Sequence, residues 1–285
     1  AYTLLEPTRQ TLTLHITESA KEGAAWGNLL SSNWNGTYYT QTLEHVNRND
    51  KGLVDFERIL GIEGVAMANE VANVKELAGG AVAAAAAGSH PSKQLQTKIT
   101  YDNGQTWQYL SVPKTNIHGR PLLCKTTPCH LHLHSFTEKA DTSNVFSAPT
   151  AIGLMMGVGN VGAHLEDYSK GDTYMTRDAG RTWHIIRQGP HLYAFGDHGG
   201  IIVLVSDQEP VDYVLYSTNE GKSFEKFYFT SANKKLRATA LITEPMATSR
   251  RFLLVGMASR GATQQQVVRL DFRGLFQRKC KHARS

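Results

Sequence analysis

Three groups of side chains in this sequence have the types and spacing for chemistry. His130, His132 and His134 alternate, so on a strand all three imidazoles point to one face, where they could hold a metal ion. Three same-side positions span roughly 13 Å, too far for one tetrahedral ion without a bend. No Asp, Glu or further Cys stands beside them, so the run reads as a structural histidine strand and no metal site is expected. Cys124 and Cys129 could be zinc thiolates or could close a small disulfide loop. A second pair is missing, and the intervening Pro128 and threonines suit the disulfide; Cys280 is left over. Asn35-Gly36-Thr37 is an N-glycosylation sequon, the only one in the chain.

The elements that must position these groups are announced by a repeated hairpin. Thr176-Arg177-Asp178-Ala179-Gly180-Arg181-Thr182-Trp183 has the form Ser/Thr-x-Asp-x-Gly-x-Thr-Trp, the Asp-box. Asp178 can accept hydrogen bonds from backbone N–H groups across a tight turn, and Gly180 supplies the positive φ that a β-carbon would oppose. Thr182 and Trp183 start the next strand, with the indole free to enter a core. Thr100 to Trp107 matches every fixed position through Asp102, Gly104, Thr106 and Trp107. Ser217 to Phe224 repeats the unit around Gly221 with Asn219 for Asp and Phe224 for Trp, and Ser32 to Tyr39 is an eroded copy that has lost the Asp. Gly180 and Gly221 stand 41 residues apart, close to the length of one four-stranded propeller blade. The expected fold is all-β, a partial β-propeller of about four to six blades.

The strands between boxes follow from short apolar runs bounded by Gly, Pro and Asn. Residues 19–27 read as a polar loop, 62–67 as a strand, 69–77 as a short helix and the Ala/Gly-rich 78–88 as a flexible insertion. Residues 135–150 read as a polar loop and 152–161 as a glycine-rich strand pair. Between the last two boxes, strands near 184–186, 191–195, 201–205 and 213–216 fill one period.

Bulk numbers narrow the class. With 285 residues, 41% hydrophobic and 19% charged, the chain is foldable and globular. Its net charge of +5 gathers in the tail from Arg273 to Arg284, without the basic and aromatic interleaving of a nucleic-acid face. No run approaches a membrane span, the first residues lack a basic segment followed by an apolar one, and the opening strand reads as entered midway, as in a piece of a longer chain. Among enzymes, Asp-boxes also occur in sialidases and other glycoside hydrolases, which need a carboxylate pair across a cleft. No such constellation stands out, and no cofactor motif does.

Several stretches together are specific. They are Cys124 to Cys129 followed at once by His130-Leu131-His132-Leu133-His134-Ser135, then Tyr174-Met175-Thr176 and Gly189-Pro190-His191-Leu192-Tyr193. Gly199-Gly200-Ile201-Ile202-Val203, Tyr216 to Gly221, and Asp271-Phe272 to Arg278-Lys279-Cys280 complete the set. In these the chain resembles the sortilin family of sorting receptors. Asn47-Arg48-Asn49-Asp50, Val54-Asp55-Phe56-Glu57 and Gly61-Ile62-Glu63-Gly64 are most similar to its fungal branch.

The resemblance implies a ten-bladed lumenal propeller of which 1–279 is the carboxy-terminal part, with 280–285 opening a cysteine-rich module. It implies a Cys124–Cys129 disulfide and a partner for Cys280 beyond this chain. A membrane span and cytosolic tail outside the segment are implied too. So is soluble hydrolase or peptide cargo, such as carboxypeptidase Y, carried between Golgi, endosome and vacuole. Tyr2 and Thr3 fall on the family strand that lines the peptide site. The departures are the absent arginine-bearing strand upstream, the eroded box at Ser32 and the Ala-rich insert. The expectation is a binding module rather than an enzyme, the rivals being a secreted Asp-box glycosidase and a degenerate remnant.

Overall fold

The computed structural model describes residues 1–5, 11–83, 91–124, 127–139, 145–231, 234–258 and 265–275. It consists of antiparallel sheets, in two compact units: 1–147 with 153–188, and 148–152 with 189–285.

The first unit holds three blades. The first is the antiparallel run β1 (Tyr2–Leu4), β2 (Thr13–Lys21), β3 (Ala24–Ser32) and β4 (Tyr39–Asn47). The second is β5 (Phe56–Arg58), β6 (Ala66–Val71), β7 (Leu95–Thr100) and β8 (Gln108–Tyr109), joined to the first by the single pair Val46–Glu70. The third is β9 (His130–Leu133), β10 (Met155–Gly162), β11 (Asp172–Thr176) and β12 (His184–Arg187). The second unit holds β13 (His191–Gly196), β14 (Ile201–Ser206), β15 (Tyr213–Ser217) and β16 (Glu225–Tyr228), then β17 (Leu236–Ile242), β18 (Arg251–Ala258) and β19 (Gln265–Asp271). Each strand neighbours its successor in this meander, and each box joins the third strand of a blade to the fourth. The fold is a partial β-propeller with five blades among the described residues.

Apolar faces of adjacent sheets meet to form the cores. Leu29, Val46, Phe56 and Ala66 pack between the first and second blades, with Trp107 against them. Met67, Ile99, Leu131, Leu133, Met155, Tyr174 and Trp183 pack between the second and third. In the second unit Ile201, Val203, Val205, Phe252, Leu254 and Phe272 do the same. β14 is buried along almost its whole length, which is why its sequence is an unbroken apolar run rather than an alternation.

Several sequence expectations are corrected. Residues 19–27 are not a loop: β2 runs to Lys21 and β3 begins at Ala24, because Ala24 and Trp26 are buried against the second blade's end. The strand expected at 62–67 lies at 66–71, so Asn69 is in β6, paired with Thr97, and not in a helix. A helix, α1 (Val74–Ala83), does follow, and it carries through Gly79-Gly80 because Leu77 is anchored beside Trp26 and Val71. The rest of the Ala-rich insert, 84–88, lies outside the described residues. Residues 135–150 contain α2 (Phe136–Lys139) and bury Phe136, Val145 and Phe146. The supposed strand pair at 152–161 is the one strand β10. The four strands read between the last two boxes belong to two sheets: β12 closes the third blade, and β13 opens the next.

Candidate functional site

β1 is the edge of its sheet, and its hydrogen bonding decides what it can offer. Leu5 N donates to Thr13 O and Thr17 N donates to Ala1 O, both at 2.9 Å, while Thr3 sits opposite His15. In an antiparallel ladder backbone groups alternate sides, so residues 1, 3 and 5 face β2. The N–H and C=O groups of Tyr2 and Leu4 therefore face the open edge, where no strand pairs with them among the described residues. Their side chains share the opposite periodicity and are exposed, Tyr2 by 74% and Leu4 by 56%. Thr3 is held from below: Arg48 Nη1 donates to its Oγ1 at 2.6 Å. Tyr2 and Thr3 thus lie on an accessible, anchored strand edge, the element that extended peptides add to.

The boxes are built as their residue types demand. Thr100 Oγ1 accepts from Gly104 N at 2.9 Å and donates to Asp102 Oδ1 at 2.7 Å. Asp102 also accepts from Thr106 N at 2.9 Å and Thr106 Oγ1 at 2.6 Å. The central box repeats these bonds at distances within 0.1 Å of the first set: Thr176 Oγ1 accepts from Gly180 N and donates to Asp178 Oδ1, and Asp178 accepts from Thr182 N and Oγ1. At Asp102 the Thr106 bonds hold the carboxyl below its ordinary range. At Asp178 burial pushes the other way, and the bonds from Thr182 and Thr176 outweigh it. In the third box Asn219 Oδ1 accepts from Ser223 N at 3.0 Å, and its amide donates to Ser223 Oγ at 2.8 Å, so the hydroxyl bond is kept with its direction reversed. These side chains hold turns.

Each box turn carries two left-handed residues rather than one. Asn103, Ala179 and Glu220 have φ of 60°, 58° and 58°, each followed by its glycine. A Cβ on Gly180 would stand 2.6 Å from Ile99 Cδ1, so that position is closed to side chains on two counts. Trp183 is buried and its Nε1 donates to Gly180 O at 3.1 Å, whereas Trp107 and Phe224 are half-buried. The copy at Ser32 is a different turn: Asn33 Oδ1 accepts from Thr37 N and Tyr38 N at 2.9 and 3.2 Å, while Ser32 Oγ accepts from Leu12 N. Asn35 stands exposed at that tip.

Cys124 and Cys129 form a disulfide with a Cα separation of 6.1 Å. Cys280 lies outside the described residues. The histidines do not converge on a metal: His130 stacks on Tyr109 at 4.1 Å and His132 is wholly buried. His132 Nδ1 accepts from Thr97 N at 3.0 Å, which leaves Nε2–H to donate to Gly162 O at 3.2 Å. Burial drops its pKa to about 4. It is a neutral ring tying the second blade to the third, and no group of potential metal ligands occurs among the described residues.

Sequence reasoning missed a buried polar knot across the three blades of the first unit. Asp55, 1% exposed, accepts from Asn47 Nδ2 (2.7 Å), Thr137 N and Oγ1 (both 2.8 Å) and Asn69 Nδ2 (3.2 Å). Asn69 continues to Leu133 O, and Thr97 Oγ1 donates to Asn69 Oδ1 at 2.6 Å. Lys93 Nζ donates to Asn47 Oδ1, Arg48 O and Ala25 O at 2.7, 2.9 and 3.2 Å. Burial raises the Asp55 pKa and lowers that of Lys93, with the Asp55 charge working back on the lysine. Glu57, fully buried, accepts from Val145 N and Phe146 N at 2.9 and 3.0 Å. Asp55, just ahead of β5, and Glu57, within it, have their oxygens engaged by donors, unlike an acid and base facing a glycosidic bond. The only hint in the sequence was an acidic residue on either side of Phe56.

The Sortilin-Vps10 family model, described as "Sortilin, neurotensin receptor 3", matches residues 1–241. The chain is 44% identical over 280 residues to the vacuolar protein sorting/targeting protein 10 of Mycosarcoma maydis and 42% identical over 280 residues to that of Laccaria bicolor. Each alignment covers 98% of this chain and 18% of the relative, so the chain spans under a fifth of their length. Among solved structures, TolB from Acinetobacter baumannii aligns over 93% of this chain and 51% of its own at 8% identity and a TM-score of 0.37, too loose a likeness to carry an argument. A family match over most of the chain, with relatives this similar along nearly its full length, settles the kinship: the chain belongs to the Sortilin-Vps10 family.

Proposed function

We propose that this segment is part of the lumenal cargo-binding propeller of a type I sorting receptor, a binding module and not an enzyme. In this reading residues 1–279 form the carboxy-terminal part of a ten-bladed propeller, and 280–285 begin the cysteine-rich module that receives Cys280. Cargo is a soluble hydrolase of the carboxypeptidase Y kind, taken from the late Golgi to the endosome and vacuole. The receptor is held in the membrane by a span outside the segment. The relatives' names, which speak of vacuolar sorting and targeting, support this.

The observation that carries it is the open edge of β1. Tyr2 and Leu4 direct their backbone N–H and C=O groups outward and leave their side chains exposed, while Thr3 is braced by Arg48. A peptide laid along this edge gains main-chain hydrogen bonds, and Tyr2 supplies an aromatic contact. The one sequon, Asn35, stands exposed on a hairpin tip, as a lumenal glycan requires. Surface plasmon resonance with the intact receptor and its purified hydrolase cargo tests the assignment. Tyr2→Ala should weaken binding by about tenfold or more, as loss of an interface aromatic does. Unchanged affinity removes Tyr2 from the site, and turnover of any glycoside by the same preparation would replace the receptor reading with an enzymatic one.

A further inference from the structure

The hairpin tip between β3 and β4 holds aromatic side chains out in solvent. Trp34 is 81% exposed and Tyr38, four residues on, is 74% exposed. Tryptophan is highly buried on average, so an indole standing out at a turn asks for a cause. The turn itself supplies none. In the eroded box Trp34 occupies the place held by Asp102 and Asp178 in the others, where a carboxylate ties the turn. Here Asn33 does that instead, its Oδ1 accepting from Thr37 N and Tyr38 N at 2.9 and 3.2 Å. The indole makes none of the bonds that hold this hairpin.

The same tip builds an acceptor for a sugar. Gly36 N donates to Asn33 O at 3.1 Å, closing a β-turn whose two corner residues are Trp34 and Asn35. Asn35 is exposed and opens the sequon Asn35-Gly36-Thr37. Its Oδ1 accepts from Thr37 N at 3.2 Å, an Asx turn that fixes the side-chain amide and leaves Nδ2 to solvent. Consecutive Cα atoms lie about 3.8 Å apart, so a sugar on Nδ2 starts within reach of the neighbouring indole. A pyranose ring has a face of C–H bonds, and the negative face of an indole attracts those hydrogens. Laying one on the other takes apolar surface of both out of water.

We propose that Asn35 carries an N-linked glycan whose first N-acetylglucosamine lies against the Trp34 indole, so that the sugar is a fixed part of the first blade's hairpin. Transfer forms the bond from Asn35 Nδ2 to C1 of that sugar and breaks the C1–O bond of a lipid-pyrophosphate-linked oligosaccharide. The lipid pyrophosphate leaves with the electron pair, and Nδ2 gives up one proton to a base of the transferring enzyme. The site rests on the lumenal reading proposed above, since such transfer takes place in that compartment.

Intact receptor from its source cells tests this, first in sealed vesicles and then purified. Glycopeptide mass spectrometry should find N-acetylglucosamine on Asn35, and protease added outside the vesicles should leave this segment uncut. Hydroxyl-radical footprinting then reads the indole directly. With one of its two faces covered, Trp34 should oxidise about twofold more slowly in the glycosylated receptor than in Thr37→Ala. That variant destroys the sequon but keeps the backbone N–H at position 37; Thr37 is exposed and its hydroxyl makes no bond among the described residues, so it should fold, which thermal melting checks. Trimming the glycan to a single sugar with an endoglycosidase should keep the protection. Bare Asn35 in a protease-protected segment overturns the site and leaves the lumenal reading standing, whereas bare Asn35 in a segment cut from outside overturns both. An occupied Asn35 with Trp34 oxidised equally in glycosylated, trimmed and Thr37→Ala receptor overturns the contact, as does protection that appears only when cargo is added.

Discussion

At the scale of single residues, the boxes show which roles can be read from a residue's type. Asp102, Asp178 and their glycines were legible because each needs one chemistry, a short acceptor or a φ free of Cβ. The neighbours at 103, 179 and 220 are equally left-handed, yet the sequence puts Asn, Ala and Glu there and so gives no sign of it. Asn219 shows what the turn tolerates, since its amide keeps all three bonds of the carboxylate, the one to the Ser223 hydroxyl reversed in direction. Asp178→Asn should accordingly cost under about 1 kcal/mol and Asp178→Ala about 2–3 kcal/mol in chemical denaturation, from the loss of several bonds near 1 kcal/mol each. Equal costs would mean that the bonds are incidental. Histidines give a second prediction. His132 and His15 are wholly buried, and burial lowers each from 6.5 to about 4. The unfolded chain then takes up protons first, so stability is complete above about pH 6.5 and falls as pH drops toward about 4. Each ring contributes up to about 3 kcal/mol to that loss, by the usual 1.36 kcal/mol per unit. Urea melts at pH 7.5 and 4.5 should show the decline, and His132→Asn should shrink it; a pH-independent midpoint would contradict the assignment of buried neutral rings.

At the scale of elements, the expectations that failed share one cause. The stretches 19–27 and 135–150 looked polar, yet their few apolar residues, Trp26, Phe136 and Phe146, are the ones that reach a neighbouring blade. Local pattern is a weak guide where one or two side chains do the anchoring. The same holds for the polar knot, because Asp55, Asn69 and Thr97 are ordinary polar residues until three blades close around them. Repeats fixed the hairpins, but the partners of these residues lie 8 to 82 positions away. Removing the Asp55 carboxylate strands the donors of Asn47, Asn69 and Thr137 and leaves Lys93 near no buried counter-charge. Asp55→Ala should therefore cost about 3–5 kcal/mol, the range for breaking one side of a buried charged network. Thermal unfolding of the variant checks this, and a loss under about 1 kcal/mol would show that water takes over the carboxylate's role.

At the scale of the whole molecule, the propeller was legible because box spacing counts blades, whereas the sheet boundaries were not, since a box period begins on the last strand of the preceding blade. In the reading proposed above, the useful feature of this architecture is the edge strand of each blade; β1 is braced by Arg48, and no strand pairs with its outer edge among the described residues. The account rests on the outward N–H of Leu4, which Pro at that position would delete without breaking a bond to β2, an exchange that edge strands tolerate. The direct measurement is the affinity of the intact receptor for the hydrolase cargo proposed above, wild type against Leu4→Pro, with thermal melting of both. Pairing at β1 predicts about a tenfold loss of affinity, the worth of one main-chain bond near 1.4 kcal/mol, with the melting midpoint unchanged. Full affinity in a folded Leu4→Pro receptor would contradict it.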